Sequence, residues 1–248
     1  PVLLLHERST LTGLRPRQLT SSLVAGLFLA AHFAAWLPSL SMTTVAASTA
    51  LVTTTPIWTA LAARVSGVHL PPQVWWGLGL AVLGAALIAG VDVTVSWRAL
   101  AGDGLALLGA ICAGGYMLAG ARARERLSTS AYAVVCYSTC AVALAVAALV
   151  VDVPLAGFSA RDWWLIAAIT CCAQLLGHTL LNLVLSSVGP TVVGLAVLLE
   201  VPGALLVALV LLQQAPPLLA LPGMVAVVLG VALVVRAGRP VPVVDPVI

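Results

Sequence analysis

The sequence predicts an all-α polytopic membrane protein organised as an inverted repeat, and three observations predict it. Of the 248 residues, 62% are hydrophobic and only 8% are charged, where an ordinary soluble domain carries ~25% charge. So little charge cannot cover a water-soluble globule of this size. Apolar segments recur along the chain at about 20 residues each, the length a membrane-spanning helix needs. Finally, a shift of 146 residues lays scarce residues of one half on like residues of the other.

Eight spans satisfy the length rule: Leu19–Ser39, Thr43–Val65, Val74–Val91, Gly102–Ala121, Ala131–Val151, Trp163–Ser186, Pro190–Leu212 and Leu218–Val235. Polar or Pro/Gly-rich breaks separate them, and the ~10-residue alternating segments of a membrane β-barrel are absent. Trp75, Trp76, Trp163 and Trp164 stand at span ends, where amphipathic rings favour the membrane interface. Nine of the eleven arginines fall on one side of the predicted bilayer (Arg8, Arg15, Arg17, Arg64, Arg122, Arg124, Arg126, Arg236 and Arg239), and only Arg98 and Arg161 fall on the other. The positive-inside rule then makes the N-terminal segment and the C-terminus cytoplasmic. The net charge is only +3 and the basic residues are scattered, which gives no footprint for nucleic acid.

The repeat rests on residues that are rare inside membrane helices. The shift pairs His32 with His178, Pro56 with Pro202, Pro71 with Pro217, Gly77 with Gly223, and Val82-Leu83-Gly84 with Val228-Leu229-Gly230. It moves the first span onto the sixth; five is odd, so the two copies run in opposite directions through the bilayer. Inverted repeats of this kind are a common architecture of secondary transporters, with the substrate held near the midplane. The organisation expected is a first repeat over 1–100, a second five-helix repeat over 101–240 and a cytoplasmic tail over 241–248. The same shift puts the start of the first copy ~45 residues before Pro1, so two further helices and a ten-span parent are expected, with Pro1–Leu5 the tail of a helix.

Polar residues at bilayer depth cost ~2.5–3.5 kcal/mol when ionisable and usually face a cavity or a partner. Glu200, two residues before Pro202, is a candidate proton carrier, with a fixed protonated packing role as the plain alternative. Gln174, His178 and Asn182 recur every four residues and so share a helix face. Their shifted equivalents Phe28, His32 and Trp36 form a second face. The two histidines are candidates to flank one cavity, with interhelical hydrogen bonding as the alternative. Tyr116, beside Gly114 and Gly115, is a candidate cavity donor, and Thr54 is the counterpart of Glu200. Thr53, Thr54 and Thr55 precede Pro56 and are expected to bond the carbonyls that proline frees. Asp103 reads as a helix cap, and the Arg122–Arg126 run as a topology anchor. Cys112, Cys136, Cys140, Cys171 and Cys172 lie in apolar runs and read as small buried hydrophobes. No metal, cofactor or catalytic constellation is expected, and an enzyme is not.

Several stretches carry a family resemblance. "AHFAAWLPSL", "TTVAASTALVTTTPIW" and "WWGLGLAVLGAALIAG" in the first half, with "GDGLALLGAICAGGYMLAGARAR", "GHTLLNLVLSSVGPTVVGLAVLLEVPG" and "PGMVAVVLGVALVV" in the second, resemble the drug/metabolite transporter superfamily, EamA-like, over roughly Leu19 to Gly238. The resemblance implies ten helices in two inverted five-helix repeats, both termini cytoplasmic in the inner membrane, and a central cavity for a small metabolite, amino acid or drug-like compound. It also implies export in most members, with protons as a coupling ion in many. An uncoupled facilitator or exchanger, or a non-transporting subunit, is the alternative. The acidic residue often found after the proline-bearing helix is replaced here by Gly67-Val68 and Gln213-Gln214. Oligomeric state is unreadable, because lipid-facing and protein-facing Leu and Val look alike.

Overall fold

The computed structural model describes residues 16–43, 45–89, 96–125, 127–200, 203, 210 and 220–237. Every regular element among them is helical: α1 Pro16–Ser39, α2 Val45–Val52, α3 Thr55–Val65, α4 Pro72–Ala89, α5 Trp97–Arg124, α6 Thr129–Val150 and α7 Ala160–Ile169 come first. A π-helical segment Thr170–His178 then joins α7 to α8 Thr179–Val188, and α9 Pro190–Val197 and α10 Ala220–Arg236 follow.

Local chemistry accounts for many of the ends. Ser96, Ser128 and Ser159 are extended and accept from the amides of Ala99, Ala131 and Asp162, capping α5, α6 and α7. At α7 the Asp162 carboxylate also accepts from the Ser159 amide, which completes a capping box. The cap of α5 is therefore Ser96 and not Asp103, because the helix begins a turn and a half earlier than the hydropathy break suggests. Asp103 Oδ1 is instead buried without a described partner. At the end of α8, Gly189 takes a positive φ of 81°, which a side chain would resist, and Pro190 then opens α9.

Leu19–Ser39, Trp97–Arg124, Thr129–Val150 and Ala160–Leu185 are long and apolar enough to cross a membrane, and Pro72–Leu87 and Leu221–Val234 are shorter apolar helices. The expected span Thr43–Val65 is broken: Thr53 and Thr54 form a turn between α2 and α3. Proline at position 56 withholds one amide, and the three threonine hydroxyls donate to the carbonyls of Ala50, Leu51 and Val52. The expected span Pro190–Leu212 is described as α9 followed by a turn at Leu198 and Leu199; residues 201–202, 204–209 and 211–219 lie outside the described set.

Helix α5 is the hub, packing against α1, α2, α3, α6, α8 and α9. One core forms where α1, α5, α6 and α8 meet, around Leu29, Met117, Tyr132, Cys136 and Leu185. A second lies between α4 and α10, around Val74, Leu78, Ala81, Val227 and Val234. There the two backbones touch: a Cβ on Gly77 would stand 2.7 Å from the Gly230 carbonyl oxygen, and one on Gly84 would stand 2.6 Å from that of Gly223. The exterior is apolar, with Leu149, Trp76, Trp164 and Trp97 among many large exposed side chains, which suits lipid and not water. Cys171 and Cys172 belong to this exterior; only Cys112, Cys136 and Cys140 are the buried hydrophobes expected of all five.

Candidate functional site

The site is built on one glycine-rich stretch of α5, Gly109–Tyr116, whose glycines seat aromatic residues of neighbouring helices. A Cβ at Gly109 would lie 3.1 Å from Trp36 Cβ, one at Gly115 2.7 Å from the Phe28 ring, and one at Gly114 3.3 Å from Trp58 Cβ. Gly109 and Tyr116 are seven residues apart and share a helix face, while Gly114 turns toward α3.

On the shared face the rings run in an unbroken line. Trp36 stacks on His32 with ring centres 5.5 Å apart, His32 touches Phe33 at 4.9 Å, Phe33 meets His178 edge-on at 5.9 Å, and His178 lies 6.0 Å from Tyr116. The two histidines that the 146-residue shift pairs therefore converge on Phe33. Their bonding differs. His32 Nδ1 stands 2.9 Å from the Gly109 carbonyl oxygen, and since a carbonyl only accepts, Nδ1 carries the proton. The Nδ1 of His178 and the Nε1 of Trp36 are buried with no hydrogen-bond partner among the described residues.

Below Tyr116 a polar chain crosses three helices. The Tyr116 hydroxyl donates to Asn182 Oδ1 at 2.9 Å, and Asn182 Nδ2 donates to the Tyr137 hydroxyl at 3.0 Å. Arg124 Nε donates to the Asn182 carbonyl oxygen at 3.3 Å, and the same guanidinium bonds the Leu127 carbonyl. Beyond Tyr137 lies a partly open cavity of about 410 Å³ between α6 and the π–α8 run, lined by Tyr137, Ser138, Thr179 and Leu183 among others.

Of the residues expected at the site, the structure brings together His32, Trp36, His178, Tyr116 and Asn182. Thr54 is buried and commits its hydroxyl to the Leu51 carbonyl at 2.6 Å. Glu200 has an exposed side chain just after the turn that ends α9, and no hydrogen bond among the described residues ties it to the cluster. Gln174 falls within the π-helical segment, and its side chain lies outside the described set. The wider winding of that segment also removes the strict four-residue register that the sequence suggested for Gln174 and His178. Phe33, Tyr137 and Arg124 are additions. Phe33 is next to His32 in the chain, but nothing in its type marks it as the link to His178. Tyr137 and Arg124 depend on which faces of α6 and α5 meet α8. No group of three or more metal-ligating side chains occurs among the described residues.

The profile of the EamA-like transporter family matches residues 100–236, more than half of the chain. The chain belongs to the EamA-like transporter family. It is thus a multi-pass membrane protein of the drug/metabolite transporter type, and the apolar helices and the buried polar cluster between them are to be read in that setting. A crystal structure described only as that of a protein shares the fold: 16% of residues are identical, the TM-score is 0.67, and the match covers 93% of this EamA-like chain and 91% of that one. Among curated proteins, none matches the chain.

Proposed function

We propose that this EamA-like protein is a secondary transporter that carries a small metabolite, amino acid or drug-like compound outward across the inner membrane by alternating access. Two inverted repeats, a first that includes 1–100 and a second, five-helix one over 101–240, rock about a midplane site. The cargo is held by His32, Trp36, His178, Tyr116 and Asn182. Both ends of the chain face the cytoplasm.

One observation carries the reading: His32 and His178, paired by the repeat, meet through a single ring, that of Phe33, beside the structure's hub helix. Two further features support the inverted arrangement. The contacts Gly77–Gly230 and Gly84–Gly223 exchange with each other when every residue is replaced by its shifted equivalent, as a two-fold axis between α4 and α10 requires. The turns at Thr53–Thr54 and Leu198–Leu199 fall within one residue of equivalent places before Pro56 and Pro202. Discontinuous helices near the midplane are a recurrent feature of transporter sites.

Coupling has two readings. In the first, Glu200 binds and releases a proton during the cycle. The exposure of its side chain, apart from the cluster, favours the second, a facilitator or exchanger driven by the cargo gradient alone. Cells overproducing the protein, its Glu200→Gln form and its His178→Leu form are compared with empty cells by mass spectrometry of the medium. A small set of compounds raised by the protein and not by His178→Leu is expected. Equal export by the Glu200→Gln form removes the proton role, and no difference from empty cells overturns export.

A further inference from the structure

The aromatic line along α5 contains two buried nitrogens with no hydrogen-bond partner among the described residues. Indole Nε1–H is a donor and never an acceptor, so the buried Nε1 of Trp36 asks for an acceptor atom. His178 Nδ1, equally buried and unpartnered, can donate to the same kind of atom in the matching tautomer. Buried polar groups are nearly always satisfied in folded proteins, and the exceptions call for an explanation. A second feature narrows the ligand. Trp36, His32, Phe33, His178 and Tyr116 include no carboxylate and no arginine, so an ammonium or a carboxylate entering this low-dielectric place would find no counter-charge. Cation–π attraction needs an open ring face, and one face of Trp36 is already covered by the His32 ring.

We propose that Trp36 Nε1 and His178 Nδ1 are the recognition donors of the transport site, and that its cargo is a flat, mainly apolar molecule bearing an uncharged acceptor oxygen, such as an aromatic carboxamide, in preference to an amine or a carboxylate. This rests on the transporter reading above and names its substrate class. The rings of the cluster supply stacking surface for the flat body, while the two donors fix the orientation. In the structure the rings touch one another, so the cargo enters as α1 and the π–α8 run part.

Trp58 serves as an internal control. Its Nε1 is also buried and unpartnered, but it sits against Gly114, on the side of α5 that faces α3. The purified full chain in detergent is titrated with benzoate, benzamide and benzylammonium, with binding followed by calorimetry. Saturable binding of benzamide, and none of benzylammonium or benzoate, is expected. Trp36→Phe keeps the ring and removes the N–H, and should weaken benzamide about tenfold, as one lost hydrogen bond predicts. Trp58→Phe should leave it unchanged, and thermal unfolding of both variants checks that they remain folded. Benzylammonium or benzoate binding as tightly as benzamide, wild-type affinity in Trp36→Phe, or no binding of any probe overturns the substrate class. Export of cellular metabolites, measured separately, tells these failures from failure of the transporter reading: export without probe binding removes only the class.

Discussion

Helix α1 and the α7–π–α8 run occupy equivalent places in the 146-residue shift, and they have fared differently. Helix α1 lies in a groove between α5 and α6. Its Gly26 is so close to α6 that a Cβ there would stand 2.6 Å from the Cys136 carbonyl oxygen, and its Phe28 and Trp36 sit on α5 glycines. Along the α7–π–α8 run, every residue from Ala160 to Ala173 is exposed, and the π segment packs on little except its own flanking helices. One is a regular α-helix; the other loosens into nine residues of π geometry. Neighbours that demand a fixed approach enforce the tighter winding, and a π segment survives where no such demand is made. The histidines inherit the same difference, His32 bonded and His178 not.

The comparison is most easily broken at its closest contact. Gly26→Leu should force α1 off α6, because the obstructing atoms include backbone. A loss of about 1–3 kcal/mol follows from overpacking, read as a lowered unfolding midpoint in detergent. The shifted equivalent, Cys172→Leu, lies on the exterior and should change stability by less than about 0.5 kcal/mol. Equal effects would mean that the two helices are equally constrained.

Asn182→Ala removes two side-chain bonds at once, those with Tyr116 and Tyr137. Such bonds average ~0.6 kcal/mol each inside membranes, so a loss of about 1 kcal/mol is expected in the same assay. Accessibility of a cysteine placed at Ser130, on the wall of the cavity beyond Tyr137, should change with it if this chain partitions the cavity from the aromatic cluster.

The histidine pair gives the smallest and most telling contrast. His32→Leu abandons the bond to Gly109 and should cost about 0.5–1.5 kcal/mol. His178→Leu replaces an unbonded nitrogen with an apolar group and should be neutral or slightly stabilising, while abolishing cargo export. Destabilisation of both by the same amount would show that His178 has a partner in the working protein.

Much of this was readable from residues alone. The all-helical character and four of the eight spans follow from composition and length, and Thr53–Thr55 before Pro56 foretold hydroxyls bonding backbone carbonyls. The repeat pairing of His32 with His178 led directly to the two side chains that converge. What escaped depended on which faces meet. A seat on Gly109 or Gly115 is invisible until α1 is laid across α5, and Tyr137 is an ordinary tyrosine until α6 turns it toward Asn182. The assignment of Asp103 as a cap failed because hydropathy marks where a span becomes apolar, whereas Ser96 marks where the helix begins. Cys171 and Cys172 misled for a related reason: in an apolar segment, hydrophobic does not distinguish an interior from an exterior that faces lipid.

The glycine contacts between α4 and α10 carry a consequence for synthesis. Gly77 leaves the ribosome about 150 residues ahead of its partner Gly230, which at 5–20 residues per second is a wait of about 8–30 s. Throughout that interval the small-residue face of α4 must rest against lipid, which cannot approach a helix backbone as closely as another glycine-bearing helix does. Helix α10, made later, thus closes a seam that α4 opened. A ribosome that stops short of residue 236 releases a chain whose second core was never sealed, and membrane quality control has a visible gap by which to identify it.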